Sequence, residues 1–342
     1  MRVIVFGAGA VGSVIGGRLR QGGTDVVLVA RQAHAEAIRA HGLLLRTASG
    51  IEAVDVDVVT TIADITPGDD DVVVITAKTQ DTPPIHSALL DWNPDVAVVC
   101  ATNGVEHERM ALRLFRRVYA MVVNLPAQFE RPGEVTALWA PANAILDVGC
   151  YPSGVDDVAT TLAATLAASP RLSSEADADV MTKKYGKLLV NLGNVADAAA
   201  SLAGRRAAVV ADAIEEGKRV YAAAGIRWEQ PADDAARYEA RLKSMRFDIP
   251  EGDTFVGGST WQSLMKGATS LETDYFQGEI ILLARLHGLD VPANEFLRDY
   301  ASRLLRGELP VGKVPLEQLD ADWREWSTRQ ALSVSGTDGS SS

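Results

Sequence analysis

The sequence predicts an α/β protein in which a doubly wound parallel sheet is followed by an all-helical domain. Three observations carry that prediction. A hydrophobic run, Val3-Ile-Val-Phe6, enters a glycine cluster at Gly7, Gly9 and Gly12. Further continuous apolar runs, at 71–77 and 95–101, alternate with helix-like segments through the first half, as strands buried on both faces of a parallel sheet do. From about Met181 the pattern changes to long helical stretches, with Pro231, Pro250, Pro292 and Pro310 in the breaks.

Taken in order, the first strand turns at Gly7 into a helix over 10–21. A β-branched second strand over 25–30 ends at Arg31. Residues 33–40 read as a helix and 43–59 as short alternating strands. After the runs at 71–77 and 95–101, further strands are expected at 118–123, 133–139 and 144–148, and a helix at 158–168. The second half predicts helices over 183–203, 207–224, 235–245, 271–287 and 294–306. These readings divide the chain into domains at 1–175 and 176–332. Residues 333–342 form a low-complexity tail expected to be disordered.

Composition narrows the function classes. The chain has 342 residues, enough for two domains, and a net charge of −12. Its Lys and Arg are dispersed, which argues against nucleic acid or an anionic membrane as partner. No apolar run approaches the length of a membrane span. The two cysteines, Cys100 and Cys150, give neither metal spacing nor a disulfide framework, so no metal is expected. With the glycine cluster beginning at residue 7, no cleaved signal is expected and the cytoplasm is the expected compartment.

The strand–glycine–helix run Gly7-Ala8-Gly9-Ala10-Val11-Gly12 is the context in which a dinucleotide-binding, Rossmann-type loop works. Gly7 permits the tight turn, Gly9 leaves room for a pyrophosphate to approach the backbone, and Gly12 lets the helix pack close to the strand. The helix N-terminus adds N–H groups and the positive end of its dipole. Arg31 stands roughly 20 residues beyond the glycines, where an acid would suit NAD and an arginine suits the 2′-phosphate of NADP. No acid occurs from Val26 to His34, so NADP is the expected cofactor. Lys78 and Asn103-Gly104 follow two later strands, on the edge of the sheet where ligands collect. Each also has an ordinary reading, as a solvated lysine and a turn dipeptide. In the second half, Lys187, Asn191 and Asn194 fall at i, i+4 and i+7, one stripe of an otherwise apolar helix. An ammonium and two carboxamides there are either satisfied internally or wall a cleft for a polar substrate.

Together, Gly7-Ala-Gly9-Ala-Val-Gly12, Arg31, Ala77-Lys78-Thr79, Asn103-Gly104, Lys187-Leu-Leu-Val-Asn191 and Ser270-Leu-Glu272-Thr-Asp-Tyr-Phe-Gln-Gly278 resemble the ketopantoate reductase (2-dehydropantoate 2-reductase) family. The resemblance runs from residue 1 to about 306 and includes Ala284-Arg-Leu-His-Gly288 and Val291-Pro-Ala-Asn294. It implies a Rossmann-type domain and a helical domain with the active site between them. The implied reaction is NADPH-dependent reduction of a 2-oxo acid, ketopantoate to pantoate, in pantothenate biosynthesis. By the same resemblance Lys187 donates the proton to the carbonyl oxygen, and Asn103 orients the substrate or Lys187. Asn191 holds the substrate hydroxyl end, Lys78 lies near cofactor or substrate carboxylate, and Glu272 fixes the substrate hydroxyl. Thr269-Ser-Leu-Glu272 also reads as a capping box.

The chain departs from the family at three places. The second asparagine, eight residues after the lysine, is replaced by Val195, with Asn194 one residue earlier and about 100° away on a helix. The substrate-binding serine, twelve residues before the acid, is replaced by Thr260 with Ser259 beside it. Trp261 adds an indole near the expected pocket. The substrate expected is therefore ketopantoate or another small 2-oxo acid, and a homodimer is left open. Two alternatives stand beside this reading: another NADP-dependent hydroxyacid- or opine-type dehydrogenase, and a non-enzymatic NADPH-binding regulator. The second would have no need of Lys187, Asn103 and Glu272 together.

Overall fold

A computed structural model of the chain describes residues 1–229, 232–251 and 257–335, and side chains throughout these except at 202, 203 and 331–335. Two compact units form, one of Met1–Lys184 with Glu229–Thr254, the other of Tyr185–Trp228 with Phe255–Ser342. Residues 176–184, grouped with the helical domain on sequence, pack with the first unit, as does the segment from Glu229.

The first unit is built on the alternation the sequence announces. It begins with β1 (Arg2–Phe6), α1 (Ala10–Gln21), β2 (Asp25–Val29) and α2 (Gln32–His41). There follow β3 (Leu43–Thr47), β4 (Gly50–Val54), β5 (Asp57–Val59), β6 (Asp71–Ile75) and α3 (Thr82–Trp92). Then come β7 (Ala97–Cys100), α4 (Glu106–Leu112), β8 (Val118–Asn124), β9 (Ala127–Arg131), β10 (Glu134–Ala137) and β11 (Trp139–Ala140). After these lie β12 (Ala144–Cys150), α5 (Asp157–Ala168) and β13 (Leu172–Ser173). The main sheet has the order β5-β2-β1-β6-β7-β8-β12-β13. Its first six strands are parallel, and β12 turns antiparallel to β8. Val3 and Val5 are buried on one face while Ile4 is buried on the other, so both faces of β1 are packed.

A second sheet, β4-β3-β10-β9, was not anticipated as a separate layer. It exists because α1 is small on two sides. Gly16 faces Leu28 of the main sheet, and a Cβ on Gly17 would stand 2.8 Å from Leu45 of β3. The helix is thus sandwiched between sheets; the strands of 43–59 are divided between them, while 133–139 supplies β10 to the second sheet.

The second unit is helical. α6 (Val180–Asn191) spans the division after Lys184. It is followed by α7 (Asn194–Ala200), a 3-10 turn at Ser201–Arg206, and α8 (Ala208–Ala223). α9 (Ala232–Ser244) and β14 (Arg246–Phe247) return to the first unit, where β14 pairs with β11. α10 (Ser259–Met265), α11 (Thr273–Leu286), α12 (Pro292–Leu305) and α13 (Leu316–Ser335) complete the chain. α13 runs through three residues of the segment expected to be disordered. The rest of that tail, 336–342, lies outside the described residues, as does the helix-breaking Pro231. Among the described residues no helix is long and apolar enough to cross a membrane.

The single helix expected over 183–203 is broken. Leu192 and Gly193 form a turn between α6 and α7, and Gln277 of α11 donates through Nε2 to the Leu192 carbonyl at 2.8 Å, satisfying an acceptor the break releases. α7 then ends at Ser201, whose φ is +55°.

Candidate active site

In the first unit the parallel strands end on one edge, and four of the expected site elements gather there. β1 ends at the glycine loop, β2 is followed by Arg31, β6 by Lys78 and β7 by Asn103. Gly7 has a φ of +100°, and a Cβ on it would lie 2.8 Å from the Ala77 nitrogen. A Cβ on Gly12 would lie 2.7 Å from the Gly7 carbonyl oxygen and strike the Thr76 hydroxyl. Gly9 differs, because the nearest heavy atom to its Cβ position is 3.9 Å away. Two glycines therefore close the turn against the sheet, while the third leaves the backbone open beside the first turn of α1. Ala10, Val11 and Gly12 begin that helix, so their N–H groups have no intrahelical acceptor. This cradle fits a dinucleotide pyrophosphate.

Arg31 is the exposed N-cap residue of α2. Lys78 is half-buried and precedes a 3-10 turn at Thr79–Asp81. Asn103 is half-buried, followed by Gly104 at φ +77°.

The loop that carries Asn103 rests on a buried polar network that sequence reasoning missed. Lys184 Nζ donates to the carbonyl oxygens of Thr102 at 3.0 Å and Cys100 at 3.5 Å, and pairs with Glu108 Oε1. Lys184 and Glu108 are both buried. Burial pushes the Glu108 carboxyl up, an effect Lys184 opposes. The Thr102 hydroxyl lies 3.2 Å from His107 Nδ1, and His107 Nε2 lies 3.0 Å from His86 Nε2. Burial holds both imidazoles below their ordinary value, His107 far below because His86 and Lys184 add to the effect. The signal available was a Lys183-Lys184 pair entering an apolar helix, and His107-Glu108 shortly after Asn103-Gly104. Lys183 is buried too, 2.6 Å from Asp147 Oδ2 and 2.8 Å from Asp177 Oδ2.

In the second unit, Lys187 and Asn191 lie one turn apart on α6, both half-buried. The Asn191 Nδ2 atom is buried and has no hydrogen-bond partner among the described residues. A buried donor left in that state is what a polar ligand would satisfy. Asn194 does not extend this stripe, because the break at Leu192-Gly193 places it on α7. It is buried there, with Oδ1 3.4 Å from Arg205 Nη2, beside the Arg205–Asp197 ion pair at 2.6 Å.

Glu272 is half-buried and is the residue before α11, which starts at Thr273. The capping box is therefore absent: its glutamate belongs in the first turn, and Glu272 lies outside the helix. Ser259 is exposed at the start of α10, and Thr260 is buried. Trp261 is half-buried and packed closely against two glycines. A Cβ on Gly257 would meet its Cγ at 2.5 Å, and one on Gly312 would meet its Nε1 at 3.1 Å.

Comparisons with known proteins give the chain's family and fold. Residues 3–152 match the family described as ketopantoate reductase PanE/ApbA, and residues 179–304 match its C-terminal domain. The chain is 25% identical over 305 residues to a 2-dehydropantoate 2-reductase of Pyrococcus horikoshii, covering 87% of this chain and 95% of that protein. It is 27% identical over 315 residues to one of Halobacterium salinarum, covering 87% and 97%. A PanE/ApbA family ketopantoate reductase structure from Ralstonia eutropha aligns with a TM-score of 0.71 at 26% identity, over 90% of this chain and 99% of that one. D-mandelate dehydrogenase, solved with NADH and anilino(oxo)acetate, shares the fold with a TM-score of 0.71 at 22% identity, over the same shares of each chain.

Proposed function

Because the chain belongs to the ketopantoate reductase PanE/ApbA family and is an oxidoreductase, we propose that it reduces a 2-oxo acid to the 2-hydroxy acid with NADPH, with ketopantoate the substrate its residues fit best. The observation that supports this most is the open Gly9 cradle on the sheet edge that also carries Arg31, Lys78 and Asn103. When bound, the dinucleotide supplies hydride to the carbonyl carbon.

This chain's own residues do the rest. The loop Gly7-Ala8-Gly9-Ala10-Val11-Gly12 holds the pyrophosphate, and Arg31 pairs with the 2′-phosphate. The carbonyl oxygen gains negative charge as its carbon is reduced, and Lys187 gives it a proton. Asn103 orients the reacting group, and Lys78 offers a positive charge to the substrate carboxylate or the cofactor. The buried Asn191 amide donates to the substrate hydroxyl end, with Glu272 as the acceptor for that hydroxyl. Thr260, Ser259 and Asn194 are the candidates to complete the pocket, at positions where this chain departs from its family. A second copy of the chain remains a candidate partner; a related ketopantoate reductase of Staphylococcus aureus is described as dimeric.

The test is oxidation of NADPH, followed at its absorbance, across ketopantoate and a series of other branched, linear and aromatic 2-oxo acids. Ketopantoate should give the highest kcat/KM. A preference for an aromatic 2-oxo acid would move the assignment to another hydroxyacid dehydrogenase, and turnover of none would overturn it.

A further inference from the structure

Beside the glycine loop, a buried histidine that has no part in the proposed chemistry makes a directional chain of hydrogen bonds. The backbone N–H of Gly133, in the β9–β10 turn, donates to His34 Nδ1 at 2.8 Å. A backbone N–H can only donate, so Nδ1 is the acceptor and the ring proton must sit on Nε2. His34 Nε2 is 3.1 Å from Ser13 Oγ, and Ser13 Oγ is 3.2 Å from the Ala8 carbonyl oxygen. A carbonyl only accepts, so the hydroxyl hydrogen points to Ala8 and its oxygen receives Nε2–H. Every proton in the chain is thereby placed: Gly133 N–H to His34, His34 to Ser13, Ser13 to Ala8.

The chain touches both halves of the dinucleotide site. Ala8 lies within the glycine fingerprint, and fixing its carbonyl fixes the plane of the Ala8–Gly9 peptide, whose Gly9 is the open position. His34 also stands in the first turn of α2, where the N–H groups of His34 and Ala35 both donate to the Arg31 carbonyl at 3.0 Å. The imidazole is buried, the Phe129 ring lies tilted beside it at 5.0 Å between ring centroids, and burial favours its neutral form. Only the neutral ring with its proton on Nε2 can complete the chain.

We infer that His34 is a positioning residue for the dinucleotide site, holding the Ala8–Gly9 peptide and the turn that starts at Arg31 in one arrangement through Ser13 and Gly133. The inference rests on the reading of the glycine loop as a dinucleotide site. It predicts that cofactor affinity depends on two buried side chains, Ser13 and His34.

The experiment measures the NADPH Kd by calorimetry for the wild type, His34→Asn, Ser13→Ala and the double variant, with thermal unfolding of each cofactor-free protein. His34→Asn keeps an acceptor near the Nδ1 position and loses the bond to Ser13. Each single variant should raise the Kd about tenfold, the scale of one buried hydrogen bond left unmade. The double variant should bind no worse than the weaker single, because both break one chain. In steady state the KM for NADPH should rise while kcat at saturating NADPH stays level. In the cofactor-free protein, the 15N signals of His34 should report a protonated Nε2 and a bare Nδ1. Unchanged Kd values with lowered unfolding temperatures, independent effects of the two substitutions, or the opposite tautomer would each overturn the inference while leaving the dinucleotide reading in place. Failure of the wild type to bind NADPH or NADH would overturn that reading, and the inference with it.

Discussion

Lys184 donates to the Thr102 carbonyl oxygen at 3.0 Å, one residue before Asn103, and does so from a position 82 residues later in the chain. The same ammonium is paired with Glu108 in the interior. Removing one partner strands the other charge without water. Lys184→Met should therefore cost about 3–5 kcal/mol of stability, whereas Lys184→Met combined with Glu108→Leu should recover most of that loss. Denaturant unfolding of the two variants decides it, and equal destabilisation by both would show that the ion pair is not what matters.

The three glycines of the fingerprint should separate by property. Gly9→Ala meets only the Gly7 carbonyl oxygen, at an ordinary contact distance of 3.9 Å, and should leave stability within about 0.5 kcal/mol while weakening NADPH binding. Gly12→Ala drives its methyl onto Gly7 and Thr76 and should cost about 1–3 kcal/mol. Unfolding temperature and cofactor Kd, measured side by side, check both.

Arg31 sets the expected cofactor preference. NADPH should bind more tightly than NADH, and Arg31→Ala should weaken NADPH by about 1.5–3 kcal/mol, the value of a hydrogen bond to a charged group, with little change for NADH. Equal affinity of the wild type for both cofactors would remove Arg31 from the 2′-phosphate.

Lys187→Ala should lower kcat on the best 2-oxo acid by roughly 10²–10⁴ with NADPH affinity preserved. Near-normal turnover per folded molecule, with a lowered unfolding temperature, would make Lys187 a structural lysine.

His86 and His107 should give the fold a pH dependence. Both are held neutral by burial, below the ordinary value of 6.5. Below pH 6.5 the unfolded chain takes up protons that the fold refuses, so stability falls as pH drops, until the lowered folded-state values are reached. His86→Gln should flatten the slope of unfolding free energy against pH between 6.5 and 5 by at most about 1.4 kcal/mol per unit. An unaltered slope would rule out His86 as a contributor.

The sequence was most readable where structure is local. The strand–glycine–helix run gave α1 its observed limits, Ala10–Gln21, and the buried strands at 71–77 and 95–101 appear as β6 and β7. β9, Ala-Gln-Phe-Glu-Arg, went unread because its apolar–polar alternation is the shortest that signals a strand, four residues, and only Ala127 and Phe129 are apolar. The turn at Leu192-Gly193 was hidden because Lys187, Asn191 and Asn194 keep helical spacing across it, and the group that satisfies the break, Gln277, lies 85 residues away. The Lys184–Glu108 pair, 76 residues apart, was invisible for the same reason: no local spacing records a tertiary contact. Gly9, Arg31 and Asn103 were legible because the order of a parallel sheet converts sequence position directly into position on one edge.

The return of α9 and β14 to the first unit bears on how the chain is made. Asp147 is fully buried and receives Arg241 on both oxygens, at 2.8 and 3.0 Å, while β11 has β14 as its strand partner. Neither contact is available to a nascent chain that has emerged only as far as residue 184. Synthesis at ~5–20 residues per second leaves an interval of several seconds before residue 247 follows. During it, the first half must wait on the ribosome with Asp147 paired to Lys183 but still lacking its arginine. A fragment ending at 184 lacks Arg241 and β14 permanently, and a cut at 228 does no better.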